Sequence, residues 1–207
     1  MSDWAQHERR VLVEALRALG PDAPTLCEGW TTADLAAHVY VRERRPDAAP
    51  GVVAPGPFAA YTNRVMASTL RVHGYDAVVE RIAAGPPAYQ RPVDEAMNLF
   101  EFLVHAEDVR RANGESPRVL DAAEEQLLWS RLSRTLRLSL RRAKGMQVEV
   151  VTPGGDRTVV GRGATVRLLG PPSELVLYAF NRKSAAAVEV TGDADAMQRL
   201  AQTRLGV

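Results

Sequence analysis

Glu101 and His105 stand four residues apart within Asp94–Asn113, DEAMNLFEFLVHAEDVRRAN. The stretch has the length and composition of one long helix, with Asp94 expected as its N-cap and Gly114 as its C′ stop. Met97, Phe100, Val104 and Val109, widened by Leu99 and Leu103, supply an apolar surface. Side chains at i and i+4 lie one above the other on a helix face, so this carboxylate and imidazole can share a metal ion. The spacing also arises by accident, and the bland alternative is two buried, hydrogen-bonded histidines with Glu101 paired to an arginine.

A metal reading needs a third ligand. Of the 4 histidines, His7 lies among polar residues and reads as solvated, while His73 sits beside Gly74 at a helix end, where it can satisfy a carbonyl. His38 differs, being mid-helix on a largely apolar face. His38 from one helix with Glu101 and His105 from another would give two imidazoles and one carboxylate. That set suits a divalent transition metal such as zinc and leaves coordination positions open, as catalytic sites do. Arg42, one turn beyond His38, can contact an anionic substrate or simply form a surface ion pair. Asp108, one turn beyond His105, can orient an imidazole or pair with Arg111. Cys27 lies in a connector with no identifiable partner base and reads as an unremarkable thiol. GGDR at 154–157 lacks the G-K-[ST] ending of a phosphate loop and reads as a hairpin turn. No H-E-x-x-H is present, which argues against a zincin protease.

The elements that must position these residues follow from punctuation and periodicity. Ser2 is expected to cap a helix over Asp3–Leu19, with Trp4, Val11, Leu12, Ala15, Leu16 and Leu19 buried and Gly20-Pro21 ending it. After a connector, PDAPTLCEGW, Thr31 starts a second helix in a capping-box pattern with Asp34, Trp30 stapling onto Leu35. It stops before Pro46, and the Pro/Gly-rich 46–57 is a long loop. A third helix spans about Phe58–Val72, Gly74 breaks it, and a shorter one runs to Ala84. A further loop, Gly85–Pro92, leads to the Asp94 helix. Four main helices with short connections predict a bundle. Beyond Pro117 the pattern changes: a helix from an Asp121 cap to Lys144, strands MQVEVVT, RTVVGRG and ATVRLLG, a helix Glu174–Asn181, a strand AVEVTG, and a last helix capped by Asp193. The fold class is therefore α+β, as two domains, 1–116 and 117–207.

Composition narrows the classes. The 207 residues are enough for a generous core, and 46% hydrophobic with 25% charged residues is ordinary for a globular protein. A net charge of +1 argues against nucleic acid or an anionic membrane as partner. Only Lys144 and Lys183 of the 26 basic residues are lysine; with so much alanine, this fits GC-rich coding rather than phosphate recognition. No run of about 18 apolar residues could span a bilayer. MSDWAQHERR lacks the order of a secretion signal, and a single cysteine allows no internal disulfide, so a cytoplasmic location is expected.

Two segments carry a resemblance: CEGWTTADLAAHVYVRERR at 27–45 and NLFEFLVHAEDVRRA at 98–112. They resemble the DinB-like superfamily, and within it the mycothiol-dependent maleylpyruvate isomerase branch. VRERRPDAAPG at 41–51 resembles a branch described only as metal-binding. The resemblance implies a four-helix bundle followed by a small α+β domain of sterol-carrier type. It also implies a divalent metal, zinc foremost, on His38, Glu101 and His105, and mycothiol as co-substrate.

The chemistry so implied is metal-assisted reaction of a small thiol with a small electrophile, by transfer or isomerisation. A thiol of pKa near 8.5 is only about 3% thiolate at pH 7, and a bound divalent ion corrects this. Two alternatives stay open. One is a non-catalytic metal- or small-molecule-binding protein, with Val166, Leu168, Leu175 and Val176 lining an apolar cavity. The other is a non-haem iron enzyme, whose ligand set is also two histidines and a carboxylate.

Overall fold

The computed structural model describes residues 3–48, 57–88, 91 and 94–206. Most of the loop expected at 46–57 and part of that at Gly85–Pro92 lie outside the described residues, as does Ser2. The chain forms two compact units, Met1–Ser116 and Pro117–Val207. An α-helical region is thus followed by a small mixed sheet with helices, an α+β architecture.

The described first unit holds α1 (Trp4–Leu19), α2 (Thr32–Arg44), α3 (Pro57–His73), α4 (Tyr75–Ala83) and α5 (Asp94–Ala112). Asp3 caps α1 by accepting from Gln6 N. Thr31 and Asp34 form the reciprocal capping box that opens α2, which satisfies two otherwise orphaned donors. Gly74 separates α3 from α4 with a φ of 73°, a left-handed conformation that a side chain would strain. α1 lies along α5, and α2 packs on α3 and α4. Leu12 and Leu16 of α1, Leu35 and Val39 of α2, Ile82 of α4 and Phe102 of α5 meet in one apolar cluster, against which Trp30 packs.

Three expectations for these helices are corrected. Asp94 belongs to the first turn of α5 rather than capping it, and its carboxylate faces Arg9, Gln6 and Asn98. Met97 is 54% exposed, because the buried stripe of α5 runs through Asn98, Leu99, Phe102, His105, Ala106 and Val109 and leaves it outside. Leu19 is exposed at the end of α1, while Arg9 is buried in its middle.

The second unit opens with α6 (Ala122–Ser139), capped by Asp121. It ends short of the expected Lys144, since the chain turns at Leu140 to bury Leu140 and Ala143. Strands β1 (Met146–Val151), β2 (Arg157–Gly161), β3 (Ala164–Leu169) and β4 (Glu189–Gly192) form a sheet of order β2-β1-β3-β4. β1 and β3 are parallel at its centre, and both outer pairings are antiparallel. The register sets Val148 opposite Val166 and Val150 opposite Leu168, giving one aliphatic face. The GGDR segment makes the β1–β2 turn, closed by Thr152 N to Asp156 O. Between β2 and β3 the chain passes beneath the start of β1. A Cβ on Gly161 or Gly163 would collide with the carbonyls of Met146 and Gly145, so this crossing requires glycine at both ends. Helices α7 (Pro172–Ala179) and α8 (Ala194–Gln202) complete the unit, with Leu175, Val176 and Leu200 buried.

Candidate metal centre

The capped start of α2 delivers His38 in the middle of that helix, and α5 delivers Glu101 and His105 one turn apart. Glu101 Oε1 lies 3.1 Å from His38 Nε2 and 3.2 Å from His105 Nε2. The donor atoms of the three residues lie within 4.8 Å of one another. The two imidazoles meet edge to face, ring centres 5.2 Å apart. Side-chain exposure is 10% for each histidine and 20% for Glu101, so the cluster is sheltered yet reachable.

Different neighbours support each member. His105 Nδ1 is 2.9 Å from Oδ2 of Asp108, which is fully buried. Arg111, the expected alternative partner of Asp108, pairs with Glu107. The thiol of Cys27 donates to the same Asp108 oxygen across 3.2 Å, so Cys27 adjoins the cluster rather than standing apart from it. His38 has Trp30 beside it, ring centres 5.1 Å apart. Arg42 directs Nε at Glu101 Oε1 across 3.3 Å and donates to Asn98 Oδ1 and to the Met97 carbonyl. Asn98 in turn gives its amide N–H to Asp94 Oδ1 at 2.5 Å. The orientation of this buried amide is fixed chemically, because a guanidinium only donates and a carboxylate accepts. Asp94 meets Arg9, which grips Glu43 through both terminal nitrogens at 2.6 and 2.9 Å. A ladder of polar contacts therefore runs from buried Arg9 to Glu101. His7 and His73 stay outside the cluster, resting against Trp4 and Tyr40.

Electrostatics separates the two imidazoles. Burial pushes His38 below its ordinary value, aided by the charges of His105 and Arg42 and opposed by Glu101. Burial acts the same way on His105, but Asp108, Cys27 and Glu101 outweigh it and hold the ring well above the usual histidine range. Burial would raise Glu101, yet hydrogen bonds and charge from His105, with His38 and Arg42, hold it well below the usual carboxylate range. The metal-free cluster thus pairs an ionised Glu101 with a protonated His105, and a metal ion would take the place of that proton.

The donor set fits a divalent ion. Two Nε2 atoms and one carboxylate oxygen converge, and the far nitrogen of His105 is held by a carboxylate, the arrangement that gives ligating imidazoles their tautomer and basicity.

Residues 4–73 match the family model of the mycothiol maleylpyruvate isomerase N-terminal domain. That span contains Cys27, His38 and Arg42 and stops before Glu101 and His105. Among solved structures, the crystal structure of the mycothiol-dependent maleylpyruvate isomerase shares the fold, with a TM-score of 0.59 at 18% identity. The alignment covers 91% of this chain and 90% of that one. The family-model match is confined to residues 4–73, and the structural likeness shows a shared fold over most of both chains. No curated protein sequence matches the chain. Among the described residues, no helix is long and apolar enough to cross a membrane.

Sequence reasoning missed Cys27, Asn98, Asp94 and Arg9 as neighbours of the cluster. Asn98 and Asp94 were discernible, since both fall on the Glu101 and His105 side of the helix at intervals of three or four. Arg9 and Cys27 arrive from other segments, and local spacing carries no signal for such contacts.

Proposed function

We propose that this chain is a divalent-metal-binding protein of isomerase-like or S-transferase type, with His38, Glu101 and His105 as ligands, zinc as the foremost ion and a mycothiol-type thiol as co-substrate. The observation that carries the reading is Glu101 Oε1 at 3.1 and 3.2 Å from the two Nε2 atoms, with Asp108 on the far nitrogen of His105. The mycothiol dependence of the structural neighbour supports the thiol class. When bound, the ion supplies stabilisation of a thiolate at neutral pH. The protein's own groups do the rest. Asp108 holds His105 in one orientation, Trp30 shields His38, and Arg42 fixes the Glu101 carboxylate while offering positive charge beside the cluster to an anionic electrophile. The second unit and a cytoplasmic location belong to the same reading of a small-molecule enzyme in a thiol-containing compartment.

The test is elemental analysis of the parent beside His38→Ala and His105→Ala, followed by turnover assays with small electrophiles and added thiol. About one equivalent of metal in the parent, lost from both folded variants, is expected, with activity that depends on thiol. Metal absent from a parent offered zinc would sink the site. Metal retained without thiol-dependent turnover would favour a binding protein, and activity requiring dioxygen and a reductant would favour a non-haem iron enzyme.

A further inference from the structure

We infer that Cys27 is a positioning residue of the centre: its S–H, donated to Asp108, fixes the carboxylate that orients His105. The consequence for metal binding rests on the reading above; the positioning itself does not.

The argument begins with what helix spacing leaves undetermined. Asp108 follows His105 by three residues on α5, which brings the carboxylate near the ring. It does not set the plane of the carboxylate, because the terminal torsion of aspartate is broad. A second contact from another element narrows that freedom. Asp108 Oδ2 receives His105 Nδ1 at 2.9 Å and Cys27 Sγ at 3.2 Å, and one carboxylate oxygen has lone pairs for both. An ionised carboxylate has no proton to give, so the imidazole N–H and the thiol S–H are the donors. His105 is thereby set with Nδ1–H on Asp108 and Nε2 turned toward Glu101, the nitrogen that would ligate a metal once its proton leaves.

The backbone holds the thiol where this requires it. Leu26 N donates to the Asp108 carbonyl at 3.0 Å, tying the connector to the residue that bears the carboxylate. Trp30 N donates to the Cys27 carbonyl at 2.9 Å, Cys27 N donates to Thr25 Oγ1 at 3.2 Å, and Pro24 bridges to Thr31. Cys27 enters on a tethered loop from outside α5, and Asp108 is buried between them.

Cys27 also packs against the apolar cluster of the bundle, so the rival explanation is packing alone. Substitutions separate the two. Cys27→Ser keeps a donor and loses apolar character; Cys27→Val and Cys27→Ala keep apolar character and lose the donor. The full-length protein is loaded with zinc and titrated against a chromophoric chelator, with Asp108→Asn as reference. Loss of an outer-shell partner typically costs about 10–100-fold in metal affinity. Asp108→Asn should fall in that range, Cys27→Val and Cys27→Ala should weaken zinc by about 10-fold, the low end of it, and Cys27→Ser should stay close to the parent. The visible bands of cobalt-loaded protein should change in Val and Ala and be retained in Ser.

Parent-like affinity in Val and Ala with weakening in Ser would overturn the inference in favour of packing. A parent that binds no zinc defeats the metal reading alone. The proton resonance of His105 Nδ1–H in metal-free protein then decides the positioning. A downfield hydrogen-bonded signal in parent and Ser, lost or moved upfield in Val and Ala, supports it; the same signal in all of them overturns it.

Discussion

Both units have aliphatic cores and buried carboxylates, but among the described residues only the first also buries a guanidinium. The second unit fills its interior with aliphatic side chains such as Leu128, Leu132, Val148, Val166, Leu168 and Val176. The first unit buries a guanidinium against two carboxylates and continues through Asn98 and Arg42 to Glu101. Burying ions is a poor way to gain stability, since their desolvation offsets much of their attraction, whereas aliphatic packing is favourable throughout. The difference teaches that the interior of the first unit is organised for position: it spends apolar volume on a chain of oriented groups that ends at the candidate site.

The sharpest way to break this contrast is Arg9→Met. It leaves Glu43 and Asp94 buried without their cation and should cost about 3–5 kcal/mol, read from urea unfolding by circular dichroism and tryptophan fluorescence. The triple replacement Arg9→Met, Glu43→Leu, Asp94→Leu should recover most of that loss yet weaken zinc, because Asn98 and Arg42 lose their anchor. Recovered stability with undiminished zinc affinity would disconnect the ladder from the site. Leu132→Ala in the second unit should cost about 2–5 kcal/mol through the cavity it leaves and should not change zinc affinity. Thr31→Ala removes the side-chain half of the α2 capping box and should cost about 1 kcal/mol, with any zinc effect confined to the His38 end.

The smallest expected effect concerns pH. Tyr75 donates its hydroxyl to the Leu16 carbonyl at 2.7 Å, and burial pushes it from 10.0 up to about 12. The unfolded chain then loses this proton first, so folded stability is full below pH 10 and declines between pH 10 and 12. The ring is only half-buried, so solvent screening keeps the slope shallow. Tyr75→Phe should lower stability by about 1 kcal/mol at neutral pH. Its urea midpoint should then fall less steeply than the parent's as pH rises. An identical alkaline slope in both would remove Tyr75 from the account.

Much of this was legible in the chain, for reasons that differ by element. The Thr31/Asp34 box, the Gly74 break and the caps at Asp121 and Asp193 depend on local chemistry, and local chemistry is written locally. The i+4 spacing set Glu101 and His105 on one helix face, and resemblance supplied His38 as their partner. Met97 misled because it is apolar yet falls beside the buried stripe, a placement set by where α1 lies against α5. Asp94 misled because it has the side chain of a cap, whereas Arg9, 85 residues earlier, claims its carboxylate. Cys27 looked idle because its partner, Asp108, is 81 residues away.

The connector of residues 24–31 places Trp30 on one imidazole and Cys27 on the support of the other. Eight consecutive residues therefore address both histidines while contributing neither. Exchange of this single loop between relatives would retune both at once and leave the helices that carry the donors untouched. Variation confined to it offers natural selection, or a designer, a compact way to adjust the candidate site on an unchanged helical frame.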